Sequence, residues 1–320
     1  MAIAGMHHVG LCVSDLQRAL AYHGTTLGLR VEPFEVAPVV MAATARLLGL
    51  AKPIGRFEGA FLKRQRAASG GTAIDLYTCP DWPAVPAGTE PHRVGITRVG
   101  LLVQDFDGTL ARTRASGHPP IAEPVQWQVP CVGNTRMAVC RDPEGSLIEL
   151  IEAPPSALPG DGNALCACHV ALNCADLDRS LAFYADALGM TVADRFGPTG
   201  VDAFAMALGL GTGATAKGCV LEGVDRASGR ARLQLVEWLA PAPLAAAADG
   251  AQAFGRAGLV RFALWADDAC ETYRMALAKG LRFLAPPETL GVEGLGTFSI
   301  VMLLDPDGNI VEFISAHGPH

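Results

Sequence analysis

An internal repeat constrains the fold of this chain more than any other feature of its sequence. Residues 7–29, HHVGLCVSDLQRALAYHGTTLGL, align with residues 168–190, CHVALNCADLDRSLAFYADALGM. Further along, RVGLLVQD at 98–105 aligns with RFALWADD at 261–268. Repeats at a fixed spacing indicate repeated structural units, so the 320 residues are expected to form two similar halves, each built from two related modules.

The repeat predicts the domain organisation. The Pro/Gly-rich stretch at 153–163 is expected to be a linker between an N-terminal pair of modules (1–152) and a C-terminal pair (164–320). The expected modules cover about 1–79, 93–152, 164–239 and 257–316.

Each module carries signals for the order β-α-β-β-β. Asp15 and Asp176 follow a short apolar strand and suit a helix N-cap, and each helix is expected to end at a Leu-Gly pair. Asp-Pro-Glu-Gly and Asp-Pro-Asp-Gly predict tight turns before the last strands of the second and fourth modules. The first and third modules carry an extra Ala/Leu-rich segment, at 39–50 and 201–211, expected to be a short helix or loop that closes over something.

Alternation along the strands places polar groups on one face of otherwise apolar sheets. One face of each first strand is apolar, as in Val9, Leu11 and Val13, and is expected to pack on the helix. The opposite face of the first and last strands presents eight polar residues, namely His8, Arg98, His169, Arg261, Asp75, Glu149, Gln234 and Glu312. Such a pattern is typical of a cavity that carries chemistry.

At these residues the sequence resembles the vicinal oxygen chelate superfamily, which includes glyoxalase I, the bleomycin-resistance proteins and the type I extradiol dioxygenases. The resemblance rests on His-Val-x-Leu-x-x-x-Asp-Leu at 8–16 and 169–177, and on the Asp-Pro-x-Gly runs that end at Glu149 and Glu312. It covers nearly the whole chain. It implies an α+β fold of four βαβββ modules, paired into two cup-shaped half-barrel sheets with the helices outside.

The resemblance also implies a divalent metal cation, which would be Fe, Mn, Ni, Co or Zn. Carried over residue by residue, the metal-ligand candidates are His8, Asp75, Glu149, His169, Gln234 and Glu312. The chain departs from the family pattern at Arg98 and Arg261, where metal-binding members usually carry a second His. Because arginine keeps its proton and cannot ligate a cation, the two-His-one-carboxylate triad of iron dioxygenases cannot be assembled from these positions.

Two functions stay open at this stage. In the first, a metal-dependent enzyme of dioxygenase or lyase/isomerase type activates a small substrate with adjacent oxygens, Glu149 and Glu312 are the catalytic carboxylates, and the cup of His169 takes the substrate. The candidate substrate-binding residues are Arg98, Arg261, Asn173 and Trp265. In the second, the arginines pair with the carboxylates and the cups are metal-free pockets of a small-molecule (antibiotic-type) binding or resistance protein.

Composition narrows the partners. Apolar residues make up 50% of the chain, and the net charge is −7 without any Lys/Arg-rich run, so a packed core is expected and nucleic acid is not. We find no signal peptide and no apolar run long enough to span a bilayer, and the nine cysteines include no Cys-x-x-Cys. The sequence therefore predicts a cytoplasmic protein that takes a small molecule and forms a homodimer.

Overall fold

A computed structural model of the chain describes nine segments. They are residues 3–35, 38–50, 58–63, 72–79, 90–154, 166–224, 231–246, 254–292 and 296–317. Within them the structure is an α+β fold of two eight-stranded sheets, each curled into a cup, as the sequence predicted.

The first sheet combines the first and fourth modules. Its strand order is β14-β15-β16-β13-β1-β4-β3-β2. The strands are β1 (Ile3–Cys12), β2 (Arg30–Glu35), β3 (Glu58–Lys63), β4 (Ala73–Thr78), β13 (Gly258–Ala266), β14 (Glu288–Val292), β15 (Gly296–Leu304) and β16 (Ile310–His317). We call its concave face the first cup.

The second sheet combines the second and third modules, in the order β10-β11-β12-β9-β5-β8-β7-β6. The strands are β5 (Gly95–Val103), β6 (Val125–Val129), β7 (Gly133–Arg141), β8 (Leu147–Glu152), β9 (Cys166–Asn173), β10 (Thr191–Gly200), β11 (Thr215–Glu222) and β12 (Arg232–Ala240). We call its concave face the second cup. The sequence left the pairing of the modules open, and each sheet proves to take one module from either half.

Helices α1, α3, α4 and α6 begin where the sequence expected them. They are α1 (Leu16–Leu20), α3 (Phe106–Ala115), α4 (Leu177–Leu181) and α6 (Ala269–Ala278). The Asp15 carboxylate accepts a hydrogen bond from the Arg18 amide at 2.9 Å, and Asp176 does the same for Arg179 at 3.0 Å, so both aspartates are N-caps. After α1 and α4 the chain continues as π-helix, over Ala21–Thr26 and Ala182–Ala187.

The main core lies on the convex faces of the two sheets. Val9 and Leu11 of β1, and Val13 directly after it, are buried there with the corresponding residues of the segments of β5, β9 and β13 and with residues of α1, α3 and α4. This arrangement confirms the assignment of the apolar strand face to the helix side. Each helix in the described segments is shorter than a bilayer crossing requires.

Two further helices lie on the concave faces. They are α2 (Pro38–Leu47) and α5 (Asp202–Ala207), in the extra segments of the first and third modules. Helix α2 packs against β14 and β15, and α5 packs against β6 and β7, so each helix covers strands of the partner module in its own sheet. The division of the chain at 153–163 stays a prediction, and residues 155–163 of that linker lie outside the described segments.

Candidate functional site

The polar residues of each cup stand in two rows. A row here is a set of three residues in register on three adjacent strands, with a small residue in the middle. The rows of the first cup are Arg261–Gly10–Asp75 and His8–Ala263–Glu312. Those of the second cup are Arg98–Ala171–Gln234 and His169–Gly100–Glu149. The pairing of modules thus joins His8 with Glu312 and His169 with Glu149.

In the first cup the arginine row is closed and the histidine row is open. The Arg261 side chain passes over Gly10, where a Cβ atom would lie 2.6 Å from Arg261 Nη1, and its Nη2 donates to Asp75 Oδ2. Its Nε donates to Glu312 Oε2 at 3.1 Å. In the other row Ala263 stands between His8 and Glu312, and the His8 Nε2 to Glu312 Oε2 distance is 3.9 Å. Arg261 therefore holds both carboxylates while His8 bonds neither.

In the second cup the pattern is reversed. His169 leans over Gly100, where a Cβ atom would overlap the imidazole ring, and its Nε2 lies 2.8 Å from Glu149 Oε2. Arg98 Nε donates to the other oxygen of Glu149 at 2.5 Å. Ala171 stands in register between Arg98 and Gln234. Arg98 Nη2 and Gln234 Oε1 are both buried without a hydrogen-bond partner in the described segments.

Asn173 fixes the position of Arg98 from the side. Its Oδ1 accepts hydrogen bonds from Arg98 Nη1 and from Trp238 Nε1, both at 3.2 Å. Its Nδ2 donates to the carbonyls of Pro91 and Arg93 at 2.7 and 2.8 Å. Because its amide hydrogen-bonding groups are thus engaged by the protein, Asn173 orients the arginine in this conformation.

Burial and charge shift the pKa values in the first cup. Burial lowers the pKa of His8 well below its usual 6.5, and the Arg261 charge and His7 lower it further, so His8 is neutral. Burial raises the pKa of Asp75 and of Glu312 more than the attraction of Arg261 lowers it. The cup therefore holds a neutral imidazole beside two carboxyl groups with raised proton affinity.

The second cup has the opposite electrostatics. Burial disfavours the imidazolium of His169, but Cys168 and the Glu149 carboxylate outweigh it and raise the pKa of His169 to about 10. Burial disfavours the ionised form of Glu149 as well, but His169 and Arg98 hold its pKa at about 2. Both groups are therefore charged near neutral pH, and Glu149 is a weak base.

The donor sets of both cups do not fit a divalent cation as they are arranged. In the first cup the Arg261 guanidinium occupies the space between Asp75 and Glu312, where an ion held by these carboxylates would lie. In the second cup His169 Nε2 and Glu149 Oε2 are bonded to each other, and Arg98 bonds the other oxygen of Glu149, so these donor atoms are already engaged within the protein. Within the described segments no group of three or more His, Cys, Asp or Glu side chains is arranged to hold a metal ion.

Aromatic rings cover the arginines. In the first cup Arg261 lies over the rings of Tyr77 and Phe254, at 5.0 and 5.2 Å from their centroids. In the second cup Arg98 lies 5.1 Å from the centroid of Phe204, which belongs to α5. The Phe204 ring is stacked on Trp238 at 5.9 Å and on Trp127 at 5.7 Å. Each guanidinium is thus sheltered from water by rings.

The first cup also contains His7, whose place there is not evident from the sequence. Strict strand alternation would put His7 on the opposite face from His8, but an irregularity in the pairing between Met6 and His8 disrupts the alternation. His7 Nδ1 lies 2.7 Å from His8 Nδ1, and the His7 ring packs on Trp265 at 4.7 Å. Trp265 therefore lies in the first cup. Strand alternation alone gives no signal for such a bulge.

Gly10, Gly100, Ala171 and Ala263 were also missed as determinants of the site. These small residues lie on the polar face of the first strands, and their role depends on which strands become neighbours. The sequence does carry one signal, because Gly10 and Gly100 each stand two residues after a polar position, His8 and Arg98. The pairing of modules is needed to see that each stands between two polar partners.

Comparison with known proteins agrees with the architecture. Two family models, both described as "Glyoxalase/Bleomycin resistance protein/Dioxygenase superfamily", match residues 168–313 and residues 7–131. Glyoxalase I from Zea mays superimposes with a TM-score of 0.68 at 20% sequence identity, covering 97% of this chain and 92% of that one. At that identity the superposition establishes a shared fold.

Two curated plant proteins match shorter stretches. The chain is 33% identical over 96 residues to "Probable lactoylglutathione lyase, chloroplastic" of Arabidopsis thaliana, which is 30% of this chain and 25% of that protein. It is 43% identical over 58 residues to "Lactoylglutathione lyase" of Oryza sativa subsp. japonica, which is 18% of each chain. The chain thus spans a quarter or less of the length of these relatives.

Proposed function

Because the chain belongs to the glyoxalase/bleomycin resistance/dioxygenase superfamily, we propose that it is a small-molecule enzyme of lyase or isomerase type that works by proton transfer in the first cup. The relatives named lactoylglutathione lyase support this class of reaction. Arg261 supplies the positive charge that a divalent ion would otherwise bring to the reacting oxygen.

One observation carries the proposal. His8 Nε2 and Arg261 Nη1 are both buried and have no hydrogen-bond partner in the described segments, and the same is true of Asp75 Oδ1. A buried polar atom without a partner costs roughly 1–3 kcal/mol, so three such atoms in one cup indicate that a small polar molecule completes them. A neutral imidazole and a guanidinium N–H are a base and an oxyanion donor, which abstraction of a proton next to a carbonyl requires.

His8, Arg261 and Glu312 have separate roles in the proposed proton transfer. When His8 donates through Nδ1 to His7, its Nε2 has a free lone pair and accepts the substrate proton. The Nη1 of Arg261 donates to the oxygen on which negative charge develops. Glu312, with its raised pKa, lies 3.9 Å from His8 Nε2 and can relay the proton back.

The sequence favoured the cup of His169 for the substrate, and the proposal places the chemistry in the other cup. His169 is bonded to Glu149 at 2.8 Å, and Glu149 has a pKa of about 2. A base this weak and a histidine already protonated are poorly suited to remove a proton near neutral pH.

A second candidate is the metal-free binding protein. It is favoured by α2 and α5, whose buried residues, among them Met41 and Phe204, form closed apolar clusters on the two concave faces. A protein that sequesters a ligand needs such a cover and no acid–base group.

Proton exchange distinguishes the two candidates. The protein is incubated in D₂O with hydroxyacetone or with S-lactoylglutathione, both of which carry hydrogens next to a carbonyl, and the signals of those hydrogens are followed by NMR. We expect exchange by the wild type, loss of at least 100-fold in His8→Asn, and near-normal exchange in His169→Asn, the same change in the second cup. Exchange that depends equally on both histidines would contradict the assignment to the first cup, and absence of exchange with either compound favours the binding protein.

The remaining expectations accompany this proposal. The substrate is a small molecule, and the cytoplasmic location and the homodimer stay predictions. Sedimentation of the purified chain measures its oligomeric state.

A further inference from the structure

The second cup holds an open row that the proposed reaction does not use. Arg98 and Gln234 lie in register on either side of Ala171, and strands two positions apart in a sheet are about 10 Å apart. The Nη2 atom of Arg98 and the Oε1 atom of Gln234 are buried with no partner in the described segments. Arg98 is fully buried and always charged, so its unsatisfied N–H is a costly feature unless something binds there.

The corresponding row in the first cup shows why this one is open. There the middle residue is Gly10, and Arg261 crosses it to reach Asp75. In the second cup Ala171 stands at the position that corresponds to Gly10, and its methyl group lies where the arginine would have to cross. Gln234 stands at the position that corresponds to Asp75. Two differences in sequence, Ala171 for Gly10 and Gln234 for Asp75, therefore leave this row open.

The wall beside this row is aromatic. Phe204 covers the guanidinium of Arg98 and stacks nearly parallel on Trp238, with 4° between the ring planes, and on Trp127, with 18° between the planes. Phe204 comes from the six-residue helix α5. A flat ring is thus already seated over a buried cation, held on a tryptophan surface.

We propose that the second cup is a binding site for a planar aromatic carboxylate that also carries a hydrogen-bond donor on its ring. The carboxylate accepts from Arg98 Nη2, the ring donor is accepted by Gln234 Oε1, and the ligand's ring lies on Trp238 in the place now taken by Phe204. This site does not depend on proton transfer in the first cup, and its test gives the same result whether or not that reaction occurs.

The binding of three probes to the full chain tests the proposal by calorimetry. The probes are 4-hydroxybenzoate, benzoate, which lacks the ring donor, and 4-hydroxybenzyl alcohol, which lacks the charge. We expect 4-hydroxybenzoate to bind about tenfold more tightly than either of the other two, since benzoate loses the hydrogen bond to Gln234 and the alcohol replaces a charge-assisted hydrogen bond to Arg98 by a weaker neutral one. Phe204→Ala should tighten all three while it keeps their order, because the ring that competes for the site is gone.

Two variants separate this site from a generic cavity. Ala171→Gly should let Arg98 reach Gln234 and should abolish the preference for the carboxylate, whereas Ala263→Gly, the same change in the first cup, should leave 4-hydroxybenzoate binding unchanged. Gln234→Leu should remove only the difference between 4-hydroxybenzoate and benzoate, and it serves as the test if Ala171→Gly does not fold. Equal affinity for the charged and neutral probes in both the wild type and Phe204→Ala would overturn the proposal, as would Gln234→Leu with unchanged affinities.

Discussion

The side chain of Arg261 crosses Gly10 to reach Asp75 on the next strand. The crossing is possible because Gly10 has no Cβ atom, which would lie 2.6 Å from Arg261 Nη1 and 2.8 Å from its Cγ. In the second cup the side chain of His169 crosses Gly100 in the same way and reaches Glu149. The small residue in the middle of each row thus decides which polar pair closes and which stays open for a ligand.

Gly10→Ala should therefore disrupt the first cup. The added methyl group pushes Arg261 off Asp75, and we expect a loss of about 1–3 kcal/mol in unfolding free energy from overpacking, with more if the ion pair breaks. Urea denaturation at pH 7 measures it. A variant as stable as the wild type would show that Arg261 does not depend on this passage.

Arg261→Met should lower the unfolding free energy by about 3–5 kcal/mol at pH 7, because it leaves two buried carboxylates without a cation. Asp75 and Glu312 already have raised pKa values, and without Arg261 they take up protons more readily still. The loss should accordingly shrink at pH 5, where the carboxyl groups are more fully protonated.

The control for this substitution is Arg18→Met, which breaks the contact of Arg18 with Glu144 at a side chain that is 52% exposed. We expect this control to lose less than about 1 kcal/mol of unfolding free energy. Equal losses for Arg261→Met at pH 5 and pH 7 would contradict the account of the first cup.

The fold was largely predictable from the sequence, and the site was so only in part. Repeated motifs and N-cap signals such as Asp15 and Asp176 specify the modules, because these signals are local. The partners of His8 and His169 follow from the pairing of distant modules, which local patterns do not determine. The Arg98–Glu149 and Arg261–Glu312 contacts agree with the expected pairing of the arginines with the carboxylates, whereas the contact of His169 with Glu149 depends on Gly100.

The second cup should give the protein a defined pH dependence of stability. Glu149 has a folded-state pKa of about 2, below its unfolded value, so its contribution is present above pH 4.5 and is lost as the pH falls towards 2. His169 has a folded-state pKa of about 10, so its contribution is present below pH 6.5 and is lost as the pH rises through 10.

His169→Asn isolates the second of these effects. The difference in unfolding free energy between wild type and variant should narrow by roughly 2–4 kcal/mol between pH 6.5 and pH 10. Denaturation at closely spaced pH values tests this, and a difference that stays constant over the range would mean that His169 is not protonated in the fold.

Ala263→Gly should close the row that is open in the first cup. With the methyl group gone, His8 can lean towards Glu312 as His169 does towards Glu149 across Gly100. We expect the pKa of His8 to rise from its lowered value, and proton exchange with hydroxyacetone to fall, because a protonated His8 cannot act as the base. NMR titration of the His8 ring signals measures the shift, and an unchanged pKa together with unchanged exchange would contradict the role given to Ala263.

We infer that arginine supplies the positive charge of these cups in place of a divalent ion. Elemental analysis of the purified protein, followed by calorimetric titration with Zn²⁺, Ni²⁺ and Mn²⁺, tests it most directly. The account predicts no stoichiometric metal and no binding tighter than about 10 μM, which corresponds to roughly −7 kcal/mol. One tightly held equivalent per chain, lost in His8→Asn or His169→Asn, would contradict it.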